Sequence, residues 1–199
     1  MKLNSTLAAA LLAMTAAGSA FADAIPYPNS GTQNPATYTF TAASTGDLTA
    51  YFFGSGASYT ETLGVLVNGV DSGITGLNNH SSSVGSSLSF GNVTAGDTLT
   101  FYIHVNDINT NWYSDTSLNS DGANHVYSTA YTGGVAGVPA GAYVAFEDLP
   151  AASSDFNYFD ETFVFTNVAS TPAVPEPANV ALLLAGLGLM GLVARRRRG

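Results

Sequence analysis

Thr98-Leu99-Thr100-Phe101-Tyr102-Ile103-His104-Val105 alternates without a break. In an extended chain Leu99, Phe101, Ile103 and Val105 fall on one side, and Thr100, Tyr102 and His104 on the other. Helical spacing would spread the four apolar side chains around the axis, so this stretch reads as a strand with one face inward. The same signature recurs on both sides. Runs of Thr, Val, Tyr and Phe, separated by Gly, Asn, Ser and Asp, predict further strands at 36–42, 48–53, 60–67, 86–93, 125–131, 142–146 and 161–168. Phe163 and Phe165 alternate with Thr162, Val164 and Thr166 in the last of these. Asn68-Gly69 and Ala95-Gly96-Asp97 are turn signals between strands. No helical period of useful length appears between residues 23 and 170, nor any internal repeat. About eight short strands with frequent turns predict an all-β domain, an antiparallel β-sandwich of jelly-roll type. Residues 106–124 read as an ordered loop, and 169–173 as a Pro/Ala/Ser/Thr linker.

Charge is the sharpest bulk constraint. The chain has five basic residues, Lys2 and Arg195, Arg196, Arg197 and Arg198, so none lies between residues 3 and 194. All 14 Asp and Glu lie within 23–177, which sets the formal charge of that part near −14. Only His80, His104 and His125 can offset it. Phosphate neutralisation needs basic side chains, so nucleic-acid binding is excluded. Ion pairing to anionic polysaccharide is excluded on the same ground. Clustered carboxylates must be solvated, hydrogen-bonded to backbone N–H groups, or gathered around a cation, for which calcium is the extracellular candidate. Cysteine is absent, so there is neither a disulfide framework nor thiol chemistry.

The two ends read as targeting segments. Met1-Lys2, an apolar run over 7–17 and Ala20-Phe21-Ala22 predict a signal peptide over 1–22, cut by signal peptidase before Asp23. At the other end Val174-Pro175-Glu176-Pro177 precedes an uncharged apolar run over 178–194. Those 17 residues would span ~26 Å as a helix, enough for a thin bilayer core. The arginines at 195–198 would stay in the cytoplasm. The expected organisation is therefore a signal peptide, an extracytoplasmic domain over 23–170, a linker over 171–177, a membrane helix over 178–194 and a cytoplasmic cluster over 195–199. Pro-Glu-Pro, one hydrophobic helix and terminal arginines resemble the PEP-CTERM sorting signal in all three parts and in order. That resemblance implies an exosortase as processing partner, acting at or near Pro175-Glu176-Pro177. It also implies an inner-membrane precursor, and then delivery to the surface or release among exopolysaccharide.

Chemistry concentrates late in the exported part. Ala145-Phe146-Glu147-Asp148-Leu149-Pro150 is followed by Ser154-Asp155-Phe156-Asn157-Tyr158-Phe159-Asp160-Glu161. Oxygens at Asp155, Asn157 and Asp160 have a spacing like that of a calcium loop, with Asp121, Glu147 and Asp148 as further ligands. It is not an EF-hand, because the Gly and the distal Glu are missing. The other reading makes these groups Asx-turn caps of backbone N–H donors. Asp121-Gly122-Ala123-Asn124-His125-Val126, Phe146-Glu147-Asp148-Leu149 and the stretch from Asp155 to Asp160 resemble a bacterial extracellular domain family of unknown function. The resemblance covers residues 115–168. It implies a β-sandwich with a calcium site and no assigned activity. Members commonly carry Asn where this chain has Phe159, one oxygen ligand fewer here.

Other signals are weaker. Gly186-Leu187-Gly188-Leu189-Met190-Gly191 spells GxGxxG, but it lies inside the apolar tail without a preceding strand or an acidic partner. The histidines lack zinc-site spacing. Trp112 and Tyr113, with Tyr51, Tyr102 and Tyr131, offer a sugar-stacking platform or ordinary packing. Three functions stay open: a non-catalytic surface or exopolysaccharide-matrix (biofilm) protein, a carbohydrate-binding module, and a glycoside hydrolase using Glu147 and Asp160. The expectation is the first, without catalysis.

Overall fold

The structure, a computed structural model, describes residues 25–172. The signal segment with Ala20, Ala22 and Asp23, and everything from residue 173 onward, lie outside the described residues. None of the described helices is long and apolar enough to cross a membrane.

The chain forms β1 (Tyr38–Ala42), β2 (Gly46–Ser55), β3 (Glu61–Val67), β4 (Val70–Gly76), β5 (Ser87–Val93) and β6 (Thr98–Val105). There follow β7 (Thr110–Tyr113), a 3-10 turn (Thr116–Leu118), β8 (Val126–Tyr131), β9 (Gly141–Phe146), β10 (Glu161–Thr166) and β11 (Val168–Pro172). One sheet runs β11-β1-β6-β3-β4, with β7 also on β6, and the other runs β5-β2-β10-β9-β8. All pairings are antiparallel. Successive strands cross repeatedly between the sheets, β1 to β2, β2 to β3, β4 to β5, β5 to β6, β7 to β8 and β10 to β11, as the expected jelly-roll type of sandwich requires.

β6 is the hub. It pairs with β3 from Val67↔Leu99 to Glu61↔Val105. Its other edge is shared: β1 takes Leu99 and Thr98, and β7 takes Tyr102 to Val105. The inward face expected for Leu99, Phe101, Ile103 and Val105 is buried in the inter-sheet core. There Phe101 stacks on Phe165 of β10 with ring centroids 3.9 Å apart. Burying each such ring contributes roughly 1.5–3 kcal/mol. The outer face of β6 is less exposed than alternation predicts, because the Tyr102 ring lies where a side chain on Gly64 would stand.

A second core covers the outer face of the β9–β10 sheet. Tyr27, Phe53, Tyr131, Val138, Tyr143, Tyr158 and Val164 meet there. Both faces of β9 and β10 are therefore buried, which explains their long apolar runs.

Three strands escape the sequence reading. β4 is Gly- and Ser-rich, yet it completes a hairpin through Asn68 (φ 52°) and Gly69 (φ 78°), both left-handed as a tight turn demands. β7 lies within the supposed loop 106–124. β11 occupies the supposed linker and pairs Phe40↔Ser170 and Tyr38↔Pro172. Pro172 is tolerated because β11 is an edge strand.

Candidate functional site

One end of the sandwich gathers the acidic elements, and three of them interlock. Asp121 precedes Gly122, which turns the backbone at φ 67°. The Asp121 carboxylate accepts from the Ala123 and Ala151 N–H groups, each at 2.9 Å, and faces Nε2 of His125 at 3.1 Å. His125 is buried, and its Nδ1 faces the Glu147 carbonyl at 3.2 Å. The Glu147 N–H returns a bond to the His125 carbonyl at 3.0 Å. Burial, the largest influence on Asp121, raises its pKa, yet the backbone donors and His125 together hold it below the ordinary value.

Glu147 is a closed fastener. One carboxylate oxygen accepts from the Tyr158 N–H and the other from the Ser154 hydroxyl. Burial pushes its pKa up, against those two donors. With both oxygens committed inside the structure, it does not face Asp160 across an open cleft as a glycosidase acid would.

The loop between β9 and β10 splits the expected ligand set. Asp155 accepts from the Asn157 backbone N–H at 3.0 Å and its side-chain amide at 2.8 Å. The Asn157 side-chain carbonyl accepts from the Phe159 N–H at 2.7 Å. Asp155 and Asn157 thus form consecutive Asx turns near the surface, the capping alternative. The residues that follow each of them, Phe156 (φ 49°) and Tyr158 (φ 54°), are left-handed without being glycine. Asp160 turns the other way, where its Oδ2 accepts from the Asp148 N–H at 2.9 Å. Of the six residues Asp121, Glu147, Asp148, Asp155, Asn157 and Asp160, the structure brings Asp148 and Asp160 together and engages the other four elsewhere.

Two glutamates outside that set complete the cluster. Glu61 opens β3 on the face of Leu63 and Val65, and Glu161 opens β10 on the face of Phe163 and Phe165. Both have no solvent exposure, and none of their four carboxylate oxygens has a hydrogen-bond partner. Asp148 lies within hydrogen-bond reach of Glu61, and Glu161 and Asp160 are close enough to repel it. Burial first, then these acidic neighbours, pushes Glu61 up to about 11. Burial and Asp148 push Asp160 up to about 8, and burial alone raises Glu161 well above the usual range. Among the described residues no group of three or more His, Cys, Asp or Glu is placed so that it could hold a metal ion with the side chains as they stand. The sequence did carry a signal for Glu61: a carboxylate in phase with Leu63 and Val65, in a domain without a basic side chain.

Three members of the expected stacking platform are buried, while Tyr51 and Tyr113 stay partly exposed. Trp112 is 2% exposed, lies flat on His125 with centroids 3.9 Å apart, and donates its indole N–H to the Asp148 carbonyl. Tyr102 and Tyr131 are buried as well. The β7 register points Trp112 into the inter-sheet core, which alternation in so short a strand could not announce.

Residues 173–198 match the family model described as the PEP-CTERM protein-sorting motif. The match implies export and a membrane-anchored precursor processed by an exosortase. No curated protein matches the chain.

Proposed function

We propose that this PEP-CTERM protein is a non-catalytic module of the cell surface or exopolysaccharide matrix, stabilised by calcium once exported. The sorting motif at residues 173–198 carries the reading. It sends the attached domain out of the cytoplasm, into compartments where calcium is plentiful. The geometry of the domain supports the rest. Glu147 is locked by two internal donors, and Trp112 is consumed by packing, which weighs against hydrolysis and against sugar stacking on that residue. The absence of any Lys or Arg from residues 3–194 leaves the acidic end in need of an outside cation.

The test replaces Pro175-Glu176-Pro177 by three alanines and fractionates the cells. The full-length precursor should accumulate in the inner membrane, while the unaltered protein reaches the surface or the medium. Equal surface fractions for both would sink the sorting part of the reading. Release of new reducing ends from the producer's own exopolysaccharide, lost in Glu147→Gln, would sink the non-catalytic part.

A further inference from the structure

We propose that the buried end of the sandwich between Glu61 and Glu161 binds calcium, with Glu61, Asp148, Asp160 and Glu161 as its carboxylate ligands. The inference rests on the calcium-stabilised reading above and moves the ion inward, away from the surface turns of Asp155 and Asn157.

The placement comes from three parts of the chain. β3 supplies Glu61, the loop just after β9 supplies Asp148, and the turn into β10 and its first residue supply Asp160 and Glu161. Period-two alternation turns Glu61 and Glu161 into the gap between the sheets, on the faces that carry Leu63 and Phe163. The Asp148 N–H holds the Asp160 carboxylate from behind at 2.9 Å, as an outer-shell donor orients a ligand.

A buried carboxylate without a partner is among the costliest groups a core can hold. Glu61 and Glu161 leave four oxygens in that condition. No lysine or arginine exists between residues 3 and 194 to answer them. The histidines are engaged elsewhere: His125 on Asp121, His104 on Asn111, and His80 on the Tyr59 carbonyl. Protonation relieves the repulsion between Glu61 and Asp148, since one acid can then donate to the other. It leaves Glu161 buried with neither oxygen hydrogen-bonded. A cation satisfies both at once.

The donor set selects the ion. All four ligands are carboxylate oxygens, with neither sulfur nor imidazole, which suits a hard cation. Calcium accepts an irregular cage of six to eight oxygens, whereas magnesium demands an octahedron and keeps its waters. A site with Glu61, Asp148 and Glu161 buried and only Asp160 partly exposed, assembled from three segments, favours the first. The four carboxylates do not stand together as a ligand set without the ion, so binding requires the Glu61 and Glu161 side chains to rotate between staggered wells.

The whole chain, purified in detergent and stripped with EDTA, provides the test. Calcium should raise its melting temperature by several degrees and magnesium should not. Terbium should luminesce on excitation of Trp112, whose indole N–H contacts the Asp148 carbonyl at 2.6 Å, and calcium should displace it. Glu61→Gln and Glu161→Gln keep side-chain volume and should each abolish both signals, while Asp155→Asn keeps them. A calcium shift that survives both glutamine variants and is lost in Asp155→Asn places the ion on the surface turn, and the inference fails while the calcium reading stands. No calcium shift, with the glutamine variants melting higher than the parent, makes these groups neutral acids and overturns both. Should a variant fail to fold, the terbium titration of the unaltered chain still decides, since silence there overturns the site.

Discussion

The indole N–H of Trp112 donates to the backbone carbonyl of Asp148 at 2.6 Å while its ring lies 8° from parallel to His125. One side chain of β7 thus ties the loop after β9 to the start of β8. Trp112→Phe keeps an aromatic ring but leaves that buried carbonyl without its donor. The expected cost is about 1–3 kcal/mol of unfolding free energy. Urea denaturation followed by far-UV circular dichroism measures it. A change within about 0.5 kcal/mol, the ordinary range for surface substitutions, would mean that the bond is replaced or unimportant.

Much of the fold was legible because alternation in β2, β3 and β6 marks the face that enters the inter-sheet core. β4, β7 and β11 were not, for three separate reasons. β4 carries Gly73 and Gly76, with only Val70 and Ile74 apolar, so no apolar run marks it. β7 is four residues long, too short for a period to show. β11 is written in linker composition and is a strand only because β1 offers it an open edge. At the acidic end, the Asp155–Asn157 spacing was visible but served Asx turns. Glu61 showed only its phase with Leu63 and Val65, because the residues it meets lie some 90 to 100 positions on, beside strands of the opposite sheet.

Gly141 opens β9 directly against the Phe165 backbone. A Cβ built there would overlap the Phe165 carbonyl, and a backbone atom cannot swing aside. Gly141→Ala should destabilise by about 1–3 kcal/mol or more, the cost of overpacking a fixed wall. Gly54→Ala is the matched control in β2, since its nearest neighbour would stand 3.7 Å away. Paired thermal melts decide the matter. Equal melting temperatures for the two variants would show that β9 and β10 can part without cost.

Stability should fall on the alkaline side through the buried tyrosines. Burial raises the phenol pKa of Tyr143 and Tyr158 far above the ordinary value near 10, and burial with the neighbouring Asp71 raises Tyr102 to about 12. Tyr158 also donates its hydroxyl proton to the Asn124 carbonyl at 3.0 Å. Above pH 10 the unfolded chain has released these protons and the folded chain still holds them. The unfolded state then binds fewer protons, so unfolding free energy declines with pH, by ~1.4 kcal/mol per unit for each such tyrosine. The contribution is complete below pH 10 and drains away from there through 12 and beyond. The raised Glu61 and Glu161 carboxyls already lower stability between pH 8 and 10, so denaturation midpoints at pH 8, 10 and 11 should fall more steeply per unit over the last interval, and Tyr158→Phe should make that last drop shallower. A flat profile to pH 11 contradicts the burial of these hydroxyls.

The last strand offers a test of where the domain ends. β11 covers β1 along Tyr38↔Pro172 to Ala42↔Val168, and Val168 packs against the inter-sheet core. Chains stopped after residue 172 keep that ladder, whereas chains stopped after residue 167 leave the outer edge of β1 unpaired. Each lost backbone hydrogen bond is worth about 1 kcal/mol, so the shorter chain should lose at least ~2 kcal/mol. An open strand edge without a lysine to guard it is also a template for self-pairing. The shorter chain should therefore run as larger species in size-exclusion chromatography at high concentration, and the longer one as a monomer. If both elute and melt alike, β11 is an ornament on the sandwich and the linker begins where composition places it.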